Sequence, residues 1–479
     1  MTRARTVLFW VLAAALVIGH VIVAWHSLVV WRFWEDEAFN LTVPRNLLAG
    51  LGYSSDGALS GSTITPFDPR ISTGPVVLLP VAAVLATGAD AVIGARLVPL
   101  AYWVLLLAGL ALLGRRIGGR WAALLAVAVP LAFATSAGVS PIQGPADLLG
   151  EIPAAALIVW ALLTLPRRAW LAGLLLGLAI QAKLIALLAL PAFAIALWVL
   201  ADGRGWARVR ETLRRSWLPL VFVALPTLLV ELTALLSLGF TGYVAHLRAL
   251  VGFVRSGGQG ASTTVLQKLQ TLADSWSVPA VVAVAAFLLL AAVIVTGVVF
   301  ARREPASGDR LVLAYASAAT LGMVAFIGWW ATASQLPLWV RHPAVGIFAF
   351  LPVLAAVAVW SARRVPRGAV ANITIAATAI FALIVGIAAA MQVSSSSVSR
   401  GQTLERQREA VAPLAEWVAE TGTDWLAAQP WGAAVPAIVL TGAHVGLSDA
   451  PAMTDTPRLT GQECTTETLA EGGYRICAP

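Results

Sequence analysis

What most constrains this chain is the recurrence of apolar runs of about 20 residues, each long enough as an α-helix to cross the ~30 Å hydrocarbon layer of a bilayer. The first, residues 7 to 30, follows Arg3 and Arg5 and lacks a small-residue cleavage site before Trp31. It exceeds the roughly 7 to 15 apolar residues of a signal-peptide core, so it reads as a retained first span. Further spans are expected at 91 to 113, 121 to 137, 146 to 165, 217 to 238, 278 to 300, 311 to 333, 344 to 361 and 369 to 391. Only 12% of residues are charged and 59% are hydrophobic, whereas about a quarter of a soluble domain is charged. A soluble enzyme is excluded, and the expected class is an all-α polytopic membrane protein.

Two stretches are ambiguous by length, and charge resolves them. Residues 73 to 87 are apolar but too short to cross comfortably; a crossing there would move Arg115, Arg116 and Arg120 to the outside. A helix on the outer face keeps them in the cytoplasm. Residues 170 to 200 are interrupted by Gln181 and Lys183 and flanked on both sides by arginines, so an even number of crossings is expected, with a turn near Lys183. About eleven spans result. The N-terminus and the loops at 114 to 120, 166 to 168, 201 to 216, 301 to 310 and 361 to 368 then carry 18 of the 32 cations inside, with only Asp202, Glu211, Glu304 and Asp309 among the acids.

The expected organisation is a transmembrane unit over 1 to 391, with a first outer loop at 31 to 90 and an outer lid loop at 239 to 277 containing Ser256-Gly257-Gly258-Gln259-Gly260, and an outer tail over 392 to 479. The tail follows the Ser-rich stretch Ser394 to Ser399 and reads as a helix (Glu405 to Glu420), a short buried strand around Ala437 to Leu440 and a loop closed by a Cys464–Cys477 disulfide, a small α/β unit. The net charge of +8 comes without basic stretches interleaved with aromatics, so no nucleic acid partner is expected. No GxxxxGK[ST] or HExxH motif occurs, and the five histidines lack metal-ligand spacing.

What remains is a set of carboxylates expected at the outer surface and isolated cations near them. Trp31-Arg-Phe-Trp-Glu35-Asp36-Glu37 follows the first span; Asp36 is a candidate general base or metal ligand, against the alternative of a solvated acidic collar. Asp147 and Glu151 are four residues apart, which would put both on one helical face; stabilisation by the helix dipole is the competing explanation. Facing them are Arg70, Arg96, Lys183 and Arg341, with Glu231 inside a span. A charge inside a span is costly unless paired, and therefore a functional candidate.

These residues resemble the lipid-dependent membrane glycosyltransferases of the GT-C fold, especially the protein O-mannosyltransferase and lipid A aminoarabinose transferase branch. The resemblance rests on Asp36-Glu37 after the first span, Gly74-Pro75 and Pro80 in the outer helix, Ala95-Arg96-Leu-Val-Pro99, Leu113-Gly-Arg-Arg116, Gly150-Glu151-Ile-Pro153, Gly177 to Lys183, and later Arg341-His342-Pro343. It implies a GT-C-like bundle, and the topology read from charge puts it in a bacterial plasma membrane, N-terminus cytoplasmic and C-terminus extracytoplasmic. It further implies transfer of a sugar from a polyprenyl-phosphate donor to an acceptor hydroxyl on a protein, lipid or cell-wall glycan. In that frame Asp36, with Glu37 as the alternative, is the base; Lys183, Arg341, Arg96 and Arg70 hold the donor phosphate; Asp147, Glu151 and Glu35 position the sugar or a divalent cation such as Mg or Mn. Two other readings remain: a transporter or lipid flippase using a Lys183/Glu231 pair, and a non-catalytic assembly protein acting through its tail.

Overall fold

The computed structural model describes residues 2–57, 63–133, 142, 144–255, 262–306, 308–396, 402–430 and 432–479. The Ser256–Gly260 stretch of the expected lid and the end of the Ser-rich stretch from residue 397 lie outside the described residues.

Helix α1 (Thr2–Trp25) runs into a π-helical turn at His26–Val30. After it come α2 (Glu35–Leu48), a two-stranded hairpin of β1 (Ser54–Asp56) and β2 (Ile64–Pro66), and α3 (Pro75–Leu85). Helix α4 (Ala91–Ala132) is two helices joined at Gly118 and Gly119; Gly119 has a φ of 75°, a left-handed value that favours glycine. The turn lies within the segment expected to form a cationic loop, and Arg363 donates to the Gly118 carbonyl at 2.6 Å. Then follow α5 (Glu151–Thr164), α6 (Ala169–Ala182), a 3-10 segment at Leu184–Ala189 and α7 (Leu190–Leu200). Between α6 and that segment the chain breaks at Lys183, whose backbone is extended. Helix α8 (Trp206–Arg255) breaks at Gly239, and α9 (Val265–Asp274) is a short amphipathic helix. The bundle closes with α10 (Ala280–Arg303), α11 (Asp309–Thr332), α12 (Arg341–Arg364) and α13 (Ala369–Ser396).

Seven described helices are long and apolar enough to span a membrane alone. Counting both legs of α4 and adding the shorter apolar helices α5, α6 and α7 gives eleven apolar helical segments among the described residues, the number of spans expected from charge parity. The chain is a multi-pass membrane protein. Helix α12 is buried along nearly its whole length and packs on α4, α5, α10 and α11. Helix α8 is instead largely exposed, its Leu228, Leu232 and Leu236 facing outward as a lipid-facing helix would.

One end of the bundle gathers the arginines of the loops expected to be cytoplasmic. Arg215 donates to Glu211 and to the Leu200 carbonyl and pairs with Asp202; Arg310 pairs with Asp202 at 2.6 Å; Arg364 pairs with Asp309 at 2.9 Å. Several of these side chains satisfy last-turn carbonyls and complement the negative helix ends. The opposite end carries α2, the hairpin, α3 and the C-terminal residues.

Those residues form α14 (Leu404–Thr421), β3 (Trp425–Ala428), α15 (Ala434–Thr441), β4 (His444–Leu447), β5 (Arg458–Thr460), β6 (Glu467–Glu471) and β7 (Tyr474–Cys477), with sheet order β4-β3-β5-β7-β6. The run expected as a strand at Ala437 to Leu440 is instead helix α15. Strands β3 and β4 pair in parallel, Trp425 opposite His444, and parallel neighbours need a crossover. The apolar run is that crossover, burying Val435, Ile438 and Val439. Cys464 and Cys477 are disulfide-bonded.

Candidate active site

The site is built where two glycines meet the Lys183 turn. A Cβ on Gly74 would collide with the Gln181 carbonyl, and one on Gly150 with the Ala182 carbonyl. Their absence lets the starts of α3 and α5 press against the end of α6, and the Gly74 amide donates to the Ala182 carbonyl at 3.0 Å. Lys183 therefore projects beside the first residue of α5, and its Nζ lies 3.1 Å from Oε1 of Glu151. Glu151 is buried, and no hydrogen bond to its carboxylate is found among the described residues. Its charge rests on Lys183.

Arg341 arrives from the opposite side as the first residue of α12. Its guanidinium contacts the carboxylate of Asp36 and lies over the rings of Trp339, at 4.5 Å, and Trp34, at 5.8 Å. Such aromatic faces hold a cation while leaving N–H groups available. Arg70 follows a short turn in which Asp68 accepts from its amide and its guanidinium. Arg70 also lies 3.4 Å from Glu231 of α8, which accepts from Tyr243 at 2.5 Å. Burial pushes the Asp68 carboxyl up, but the bonds and charge of Arg70, joined by His246 at 3.0 Å, hold it below the usual range.

Arg70, Lys183 and Arg341 line one open cavity of about 780 Å³, with Glu151 and His342. Its other flank is apolar, made by Leu184, Ile185, Leu187, Leu188 and Trp329. A second, larger groove of about 1530 Å³ begins at the same Arg70 and runs between the 47–79 segment and α8. The arrangement offers three cations to an anionic group beside a surface suited to a hydrocarbon chain.

The remaining candidates lie elsewhere. Arg96 and Glu37 are both fully buried and bound to each other at 2.9 and 2.6 Å. Arg96 also holds the carbonyls of Trp31 and Arg32, and Glu37 accepts from the Leu148 amide. With its donors occupied inside the protein, Arg96 does not join the cavity cations, and Glu37 is not a free base. Asp147 precedes α5 rather than lying on it, so it does not share a helical face with Glu151; it is buried and accepts from the Gly144 amide at 3.2 Å. Glu35 pairs with Arg32 at 3.1 Å. Asp36, Asp147 and Glu151 therefore do not converge as a divalent-ion site, and among the described residues no group of three or more His, Cys, Asp or Glu side chains is arranged for a metal. The Lys183/Glu231 pair required by a transporter does not form either; each has another partner.

Sequence reasoning did not select Trp34, Trp339, His342 or Asp68. The first three flank Arg341 in the chain or across the site, and Asp68 stands two residues before Arg70; adjacency to a candidate cation was the available signal.

No protein-family model and no curated protein matches the sequence. Solved structures do. The apo crystal structure of ArnT from Cupriavidus metallidurans superposes with a TM-score of 0.60 at 13% identity, covering all of this chain and 98% of that one. The same protein bound to undecaprenyl phosphate gives 0.59 over the same coverage. The Archaeoglobus fulgidus oligosaccharyltransferase in apo form gives 0.52 at 13% identity, over 92% of this chain and 65% of that one. This likeness gives the chain the GT-C fold that these structures share.

Proposed function

We propose that the chain is a membrane glycosyltransferase that takes a sugar from a polyprenyl-phosphate donor and passes it to an acceptor hydroxyl at the loop-bearing end of the bundle. The observation that carries this reading is the convergence of Arg70, Lys183 and Arg341 on one cavity with an apolar flank. The ArnT structure containing undecaprenyl phosphate supports the donor class. Clustering of Arg215, Arg310 and Arg364 with the other arginines of the 201 to 216, 301 to 310 and 361 to 368 loops at the opposite end supports an extracytoplasmic site, with the N-terminus in the cytoplasm of a bacterial plasma membrane.

The chemistry follows from charge. An acceptor oxygen attacks the anomeric carbon as its proton passes to a carboxylate. The bond from that carbon to the phosphate oxygen breaks, and polyprenyl phosphate departs with added negative charge. Cations aimed at that phosphate stabilise the transition state more than the ground state. Asp36 is the proposed base. Before donor binds, Arg341 and Lys183 are neutralised by Asp36 and Glu151. An arriving phosphate competes for both cations and frees each carboxylate from its partner as substrate arrives. Glu151 is a second reading for the base, favoured by its place in the cavity wall and its lack of hydrogen bonds.

The test is donor consumption by purified protein in lipid, over a panel of polyprenyl-phosphate sugars, for wild type, Asp36→Asn and Glu151→Gln. Consumption of one donor that disappears in Asp36→Asn alone supports the first assignment. Disappearance in Glu151→Gln alone moves the base to Glu151. No donor binding to wild type across the panel overturns the reading.

A further inference from the structure

The strand-like link between α1 and α2, residues 31 to 34, is held from two sides. Within the bundle, Arg96 takes the carbonyls of Trp31 and Arg32 at 2.9 and 2.8 Å. From the C-terminal segment, the side chain of Gln407 binds Phe33 twice: its carboxamide oxygen accepts from the Phe33 amide, and its NH2 donates to the Phe33 carbonyl, both at 2.8 Å. Trp31 and Thr403 form an isolated antiparallel bridge alongside, and Thr403 caps α14 by accepting from the Arg406 amide. Gln407 is buried, as is Phe33. A primary amide bonding one residue's N–H and C=O together reproduces a strand partner, and neither Asn, which is shorter, nor Glu, which lacks the donor, does the same.

What this fixes lies immediately downstream. Trp34, the next residue, lies under the Arg341 guanidinium, and Asp36, three residues after Phe33, contacts it. The C-terminal segment reaches this region at other points: Arg45 of α2 donates to the carbonyls of Val439 and Gly442 at 2.8 and 2.9 Å, and Asp56 accepts from the Val445 amide.

We propose that Gln407 is a positioning residue: by clamping Phe33 it sets Asp36 and Trp34 against Arg341, making the C-terminal segment part of the reaction's scaffold. This rests on the glycosyltransferase reading above. The expected magnitude follows from the sensitivity of proton transfer and attack to placement, where an error near 1 Å costs roughly 100-fold.

The experiment uses the full chain in lipid nanodiscs with Gln407→Met, which keeps length and packing and deletes both bonds. Two readouts are taken: steady-state turnover on the consumed donor, and the rate at which a water-soluble carbodiimide modifies Asp36, followed by mass spectrometry. Expected are a fall in kcat of about 10- to 100-fold with donor KM within about twofold, and faster modification of Asp36. Arg408→Ala, which removes the exposed Arg408–Asp90 pair on the same helix, should change neither readout. Wild-type kcat and wild-type Asp36 labelling in Gln407→Met overturn the proposal. An increase in donor KM with unchanged kcat also overturns it, since Gln407 would then act on binding. If wild type consumes no donor but Gln407→Met still accelerates Asp36 labelling, the function fails and the positioning role stands.

Discussion

Lys183 and Glu151 meet at 3.1 Å because Gly150, the residue before Glu151, packs against the carbonyl of Ala182, the residue before Lys183. Charge pairing and backbone packing at this point are one feature. Lys183→Met should lower the affinity for polyprenyl phosphate by roughly 10- to 100-fold, the range for losing one charge-assisted hydrogen bond. Binding of the phospholipid by wild-type and variant protein in nanodiscs measures it; unchanged affinity would remove Lys183 from the phosphate site.

Gly150→Ala places a methyl group on the Ala182 carbonyl. The α5–α6 contact must open, carrying Lys183 with it. The expected outcome is a lower unfolding temperature together with weakened donor binding. Gly252→Ala, whose Cβ meets nothing nearby, should show neither effect.

Asp36→Asn removes the proposed base while leaving a side chain of the same size beside Arg341. Turnover should fall about 10²- to 10⁴-fold. Donor affinity should hold or increase, because Arg341 loses its competing carboxylate. Single-turnover and binding measurements on the same preparation separate the two effects.

The Glu37–Arg96 pair predicts a different phenotype. Glu37→Leu leaves an unpaired buried guanidinium and should cost about 3 to 5 kcal/mol. Combining it with Arg96→Met should restore part of that loss. Denaturation midpoints of the single and double variants give the coupling, and loss of activity in Glu37→Leu should track loss of folded protein.

His444 and Asp56 join the sheet to the first-loop hairpin at 3.1 Å. The hydrogen bond to Asp56 raises the His444 pKa above its usual 6.5; burial and Arg45 oppose the rise and Asp424 adds to it. Folded His444 holds its proton more tightly than unfolded, so this contribution is fully present below about pH 6.5 and is lost as pH rises through the raised value. After correction for the intrinsic base-catalysed exchange rate, protection from hydrogen exchange at residues 54–56 and 444–447 should fall as pH rises above about 6.5. Asp56→Asn should flatten that dependence.

The succession of apolar helices, the turn near Lys183 and the arginine cluster around Asp202, Glu211 and Asp309 were determined by sequence alone. Each follows from a local rule: how many apolar residues span a bilayer, and which side of it retains cations. The candidate cations Arg70, Lys183 and Arg341 were legible for a related reason, since a charge next to or inside an apolar segment needs a partner. Which partner it finds is a property of three-dimensional packing. Tertiary structure alone sent Arg96 to Glu37, Glu231 to Arg70, and Asp147 into a buried turn away from the helix that begins at Glu151. It also made Ala434–Thr441 a helix, because the two parallel strands flanking it require a crossover and a short apolar run does not reveal which neighbours its flanks will choose. Gln407 and Phe33, 374 positions apart, could not be joined by any periodicity. Their meeting depends on the whole bundle bringing its last segment back to its first.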